Sequence, residues 1–94
     1  MGYYALFYRD LVPDYTSRRA AFREEHLGLA REAYARGELV LAGALADPTD
    51  GALLIFRADD VAPVQEFVKK DPYVRNQLVR HWEIRSWIVV VGNS

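Results

Sequence analysis

An α+β fold with the element order βαββα(α)β is predicted by three features of this 94-residue sequence. Short runs of aromatic and β-branched residues are apolar on both of their faces. One long segment repeats its apolar residues at steps of three and four. A five-residue stretch of turn chemistry joins two of the apolar runs as a hairpin.

The first element is a strand, Tyr3–Arg9, with Tyr3, Ala5 and Phe7 on one face and Tyr4, Leu6 and Tyr8 on the other. Asp10–Thr16 holds Pro13 and Asp14 and reads as a loop. It leads to a helix predicted over Ser17–Arg36, capped by Asp14 or Thr16 and stopped by Gly37. Phe22, His26, Leu29, Ala30 and Ala33 make its apolar stripe, and Arg18, Glu24, Glu25, Arg31 and Glu32 its solvated side. Glu38–Ala46 and Ala52–Arg57 are strands joined by Asp47-Pro48-Thr49-Asp50-Gly51. Asp59 or Asp60 caps a second helix whose buried stripe is Val61, Val64, Phe67 and Val68, with Pro63 tolerated in the first turn. Asp71-Pro72 ends that helix, because the residue before a proline is pushed out of the helical region. A short third helix is expected over Pro72–Val79 with Asp71 as its cap, followed by a last strand over His81–Val91. This is the ferredoxin-like split βαβ order, in a single domain spanning residues 1–94.

Helices packed on one side of a sheet leave its other side bare. The strands here are apolar on both sides, and 51% of the residues are hydrophobic. A chain of this size buries only about 60–65% of its unfolded surface, so the surplus calls for a partner. Two such sheets packed back to back, as in a dimeric α/β barrel, satisfy it, and a homodimer is expected.

Several classes of function are excluded by composition. Twelve basic and thirteen acidic residues are interspersed, giving a net charge of −1. That is no electrostatic footprint for nucleic acid. The absence of cysteine removes disulfide and thiolate chemistry. No leader pattern and no membrane-length apolar run is present, so the chain is expected in the cytoplasm with no membrane partner. His26 and His81 are isolated and make no metal-ligand pattern. No phosphate-binding loop or nucleophile elbow occurs, and no cofactor is expected.

What remains is a pair of polar residues in apolar company. His26 shares the core-facing stripe of the first helix, four residues after Phe22 and three before Leu29. On spacing alone it is a core histidine with a satisfied hydrogen bond; the alternative is a proton-transfer group. Asp71 before Pro72 has the pattern of an N-cap, which does not exclude orienting a histidine. His81, among Arg80, Trp82 and Glu83, reads as a surface residue.

Four patterns, in order, resemble the YCII-related (YciI-like) family. Arg23-Glu24-Glu25-His26-Leu27 is similar to its Arg-x-x-His-Leu, and Gly37-Glu38-Leu39-Val40-Leu41-Ala42-Gly43 to its Gly-x-Leu-x-x-Ala-Gly. Asp71-Pro72-Tyr73-Val74 matches its Asp-Pro-Tyr/Phe, and a Trp-containing final strand follows. The resemblance implies a dimeric ferredoxin-like fold and a His–Asp site between helix and sheet, here His26 and Asp71. Two departures lie near the expected pocket mouth: Ala44 stands where the family often has proline, and the Asp47–Gly51 loop is short. The expected function is a small-molecule enzyme with lyase, isomerase or dehalogenase-like acid–base chemistry. Arg23 would steer an anionic group, and Tyr3, Tyr73 or Trp82 would supply an aromatic wall. The competing expectation is a non-catalytic dimeric module that binds a metabolite or assists another protein.

Overall fold

The computed structural model describes residues 1–92. Four strands form one antiparallel sheet: β1 (Gly2–Leu11), β2 (Leu39–Ala44), β3 (Ala52–Ala58) and β4 (Val79–Trp87), in the order β2-β3-β1-β4. The helices are α1 (Tyr15–Arg18), α2 (Arg23–Ala35), α3 (Ala62–Lys70) and α4 (Pro72–Arg75). This is the ferredoxin-like topology, with β1 central between β3 and β4.

The register sorts the side chains by face. Leu6 pairs with Leu54 and Ile84, and Tyr8 with Ala52 and Trp82, on the face that the helices cover. Leu6, Tyr8, Leu54, Phe56, Val64, Phe67, Val68 and Leu78 are buried there as one core. Tyr3, Ala5 and Phe7 pair with Trp87, Arg85 and Glu83 on the opposite, helix-free face. Among the described residues, no helix is long and apolar enough to cross a membrane.

Three expected boundaries are corrected. The helix predicted over Ser17–Arg36 is broken: α1 runs into a 3-10 turn, Arg19–Ala21, and Phe22 sits at φ −118°, ψ 2° before α2 begins. Each 3-10 residue advances about 120° rather than 100°, which re-phases the stripe. Tyr15 can then reach the core while Phe22 and His26 stay inward. Neither Asp14 nor Thr16 caps with its side chain; the Asp14 carboxylate pairs instead with Arg18 at 3.8 Å. The third helix is one turn rather than two. Gln77 takes a left-handed φ of 62°, and Leu78 N–H donates to the Tyr73 carbonyl, closing the helix early. The last strand therefore starts at Val79 and ends at Trp87, and Ile88–Val91 lies beyond it.

Other local signals act as expected. Gly37 at φ 81° ends α2 in a Schellman motif, with Gly37 N–H donating to Tyr34 O and Glu38 N–H to Ala33 O. The Asp60 carboxylate accepts from Ala62 N–H at the start of α3.

Candidate active site

Asp71 sits in extended backbone (φ −68°, ψ 119°) between α3 and α4, where Pro72 forbids a continuous helix. The bend turns its side chain inward, and the residue is fully buried. A buried carboxylate must be hydrogen-bonded, and this one accepts from three donors. Tyr73 N–H donates to Oδ1 at 3.0 Å, the N-cap bond of α4. The Tyr8 hydroxyl donates to Oδ2 at 2.5 Å from the middle strand. His26 Nδ1 lies 2.9 Å from Oδ1, reaching over from α2.

That arrangement fixes the histidine. A carboxylate can only accept, so Nδ1 carries the proton and Nε2 of the neutral ring holds the free lone pair. The ring is held in plane by Tyr73, stacked at 4.0 Å between centroids and 10° between planes, and Phe67 meets it edge-on at 6.4 Å. Its side chain keeps 16% exposure, and Nε2 has no protein partner among the described residues. His26 borders a cavity of about 340 Å3, large enough for a compact ring-sized ligand.

The cavity lies between α2 and the inner face of β2 and β3. The sheet side is Ala42, Gly43, Ala44 and Ala52, which carry almost no side chain, together with Leu54 and Tyr8; His26, Leu27 and Ala30 come from α2 and Tyr73 from α4. Tyr15, Arg19 and Arg23 complete the lining. The Arg19 guanidinium carbon lies 5.5 Å from the Tyr15 ring centroid. Burial pushes the Tyr8 phenol far up, with the Asp71 charge adding to the shift, so Tyr8 stays a neutral donor. Burial also raises the Tyr15 phenol against the opposing pull of Arg19, and the Tyr73 phenol against Arg23 and Arg19.

Of the residues singled out from sequence, His26, Asp71, Tyr73 and Arg23 come together here. Tyr3 and Trp82 do not line the cavity. Tyr3 has the parity of Phe7 and points to the helix-free face, where the Arg57 guanidinium lies 5.8 Å from its ring centroid. Trp82 has the right parity, but β4 is the sheet edge farthest from β2, and the ring is half-exposed. His81 is exposed, as expected. Three polar lining residues were missed: Tyr8, Tyr15 and Arg19. Tyr8 carried a legible signal: a hydroxyl on an otherwise apolar inner face needs a buried acceptor. Tyr15 and Arg19 lay in stretches read as loop and solvated helix.

Comparison with known proteins agrees with the topology. The model of the YCII-related domain matches residues 2–88. The fold is similar to that of the 5-chloro-2-hydroxyhydroquinone dehydrochlorinase of Burkholderia phenoliruptrix, solved in complex with 2,5-dihydroxybenzoquinone. That match has a TM-score of 0.77 and 18% identity, over 92% of this chain and 93% of that one. A protein of Agrobacterium tumefaciens, Atu4242, matches with a TM-score of 0.61 and 16% identity over 97% and 95% of the two chains. A NIPSNAP domain protein of Burkholderia xenovorans matches with a TM-score of 0.59 and 16% identity over 97% and 96%. No curated protein matches by sequence. The family match runs through both the His26 helix and the Asp71 cap, and on it the chain belongs to the YCII-related family.

Proposed function

We propose that this protein is a small-molecule enzyme that moves protons by general acid–base catalysis on a compact, flat, oxygen-bearing ring. The observation that carries the reading is His26 held 2.9 Å from buried Asp71 by Nδ1 while the residue borders an open cavity and its other nitrogen has no protein partner among the described residues. A pair kept only for folding has no need of that opening.

In this reading His26 Nε2 takes a proton from a carbon beside a ring carbonyl. The C–H electron pair moves into the ring, onto the carbonyl oxygen or outward to expel a leaving group. Asp71 fixes the Nδ1–H tautomer and stabilises the imidazolium until the proton is returned. Tyr8 holds Asp71, and the small-residue wall admits a planar ring. The chemistry is that of a lyase, an isomerase or a dehalogenase, and it requires no cofactor. The ligand named for the dehydrochlorinase of similar fold, 2,5-dihydroxybenzoquinone, is a suitable probe. In D2O, a deuteron from the His26 imidazolium should add to a ring carbon of the ionised compound, using the enolate electron pair. Nε2 should then take the original proton from the resulting CHD carbon as that pair returns to oxygen. The wild-type protein should accelerate this exchange, followed by NMR, and His26→Gln should abolish the acceleration. Binding without any acceleration would replace this reading with that of a metabolite-binding module.

We infer also that the protein works as a homodimer joined through its helix-free sheet face. Tyr3, Phe7, Leu53 and Ile55 lie there beside Leu41 (71% exposed) and Trp87 (48% exposed). Exposed Ile88, Val90 and Val91 follow directly in the chain. Apolar area of this kind on a small domain favours self-association.

A further inference from the structure

Tyr73 has two uses already described: its N–H is capped by Asp71, and its ring stacks on His26. Neither involves the hydroxyl. Tyr73 is buried to 3% exposure, and its Oη is the buried side-chain polar atom without a hydrogen-bond partner among the described residues. Such a group destabilises the fold, and phenylalanine would give the same ring without that cost. Every neighbour that acts electrostatically on this hydroxyl, apart from Asp71, lines the cavity: Tyr15, Arg23 and Arg19. Arg19 and Arg23 form no ion pair with a carboxylate among the described residues; Arg31, Arg57 and Arg85 form none either, but only Arg19 and Arg23 line this cavity.

We propose that the Tyr73 hydroxyl and the guanidinium groups of Arg19 and Arg23 form a subsite that holds an ionised oxygen of the ligand. The inference rests on the reading that the cavity beside His26 is the ligand site. A neutral phenol donates to an anionic oxygen, and two unpaired cations at the same cavity supply the matching field. An ionised oxygen there also anchors the ring at a fixed distance from Nε2, because Tyr73 and His26 are stacked on one another. Two chemistries present such an oxygen: an acidic enol or phenol, and a carboxylate.

Calorimetric titration with three probes tests this: 2,5-dihydroxybenzoquinone for the ionised enol, benzoate for the carboxylate, and benzamide as an uncharged ring. Wild type should bind at least one ionised probe well above benzamide, and the tighter of the two names the oxygen class. Tyr73→Phe should weaken that probe roughly ten- to a hundredfold, the usual range for a hydrogen bond to a charged group. Its melting temperature should not fall, because an orphaned buried hydroxyl is removed. Arg19→Gln and Arg23→Gln should each weaken the ionised probe and leave benzamide unchanged. Equal affinity of Tyr73→Phe and wild type, or no binding of either ionised probe, overturns the subsite. Proton exchange is read separately. Exchange that depends on His26 alongside unchanged Tyr73→Phe binding sinks the subsite alone, and the selective binding pattern without exchange sinks the acid–base reading alone.

Discussion

Replacing Asp71 by alanine and by asparagine separates its structural work from its charge. Alanine removes the N-cap of α4 and strands the Tyr8 hydroxyl in the core. A lost cap costs about 0.5–2 kcal/mol and a stranded buried hydroxyl about 1–3, so the combined loss should be about 1.5–5 kcal/mol. Relief of the buried carboxylate's own desolvation pulls the figure toward the lower end. Asparagine can keep three hydrogen bonds, with the one to Tyr8 reversed and the Tyr8 O–H left without its acceptor. With its carbonyl at the Oδ1 position it accepts from Tyr73 N–H and from His26 Nδ1–H, as Oδ1 does now. Its NH2 then falls at the Oδ2 position and donates to the Tyr8 oxygen, which turns its own hydrogen away. The cap and the histidine tautomer are preserved, so Asp71→Asn should fall between wild type and the alanine variant in stability yet exchange ring protons slowly, lacking the charge behind the imidazolium. Urea unfolding at one fixed protein concentration measures the two stabilities. An asparagine variant as unstable as the alanine one would refute the rearranged network.

Other outcomes follow from single features. Gln77 holds a left-handed φ of 62°, so Gln77→Gly should raise stability by up to about 1 kcal/mol in the same unfolding assay. A Cβ at Gly51 would sit 2.9 Å from the Tyr8 carbonyl oxygen and 3.2 Å from the Leu45 side chain, so Gly51→Ala should cost about 1–3 kcal/mol, seen as a lower melting temperature. The raised Tyr8, Tyr15 and Tyr73 phenols contribute stability that is fully present below the unfolded value of about 10. It is lost as pH climbs through the folded values, so melting temperatures should fall above about pH 10, less steeply in Tyr8→Phe. Light scattering should give the mass of a dimer, and Trp87→Glu should shift it toward monomer; a wild-type monomer at micromolar concentration would remove the barrel.

Much of this molecule could be read from its residues because local rules acted without competition. His26 lies where helical spacing puts it, and Asp71-Pro72 is both a chain break and a cap. Strand parity separated Tyr3 from Tyr8 correctly, but parity says nothing about lateral order. Only the β2-β3-β1-β4 arrangement shows that Trp82 is too far across the sheet to reach the cavity. The break at Phe22 was invisible for a different reason. No glycine or proline marks it, and tertiary packing of Tyr15 against Tyr73 sets the phase there. Tyr8 meets Asp71 across 63 residues of chain, a pairing that no local pattern encodes. Ile88–Val91 alternates like a strand, yet the fourth strand ends at Trp87.

The wall of Ala42, Ala44 and Ala52 gives this site room to evolve. These residues share the inner sheet face by register with Leu54 and Tyr8, and each ends at its Cβ. A single exchange to valine or leucine would fill part of the cavity from the sheet side. None of the three takes part in the hydrogen bonds among His26, Asp71 and Tyr8, and Ala42 and Ala44 sit on an exposed edge strand rather than in the packed core. On the proposed function, ligand size could therefore drift by substitution at the sheet edge while His26, Asp71 and the fold stay fixed, so descendants of one such chain could divide a range of ring sizes among themselves.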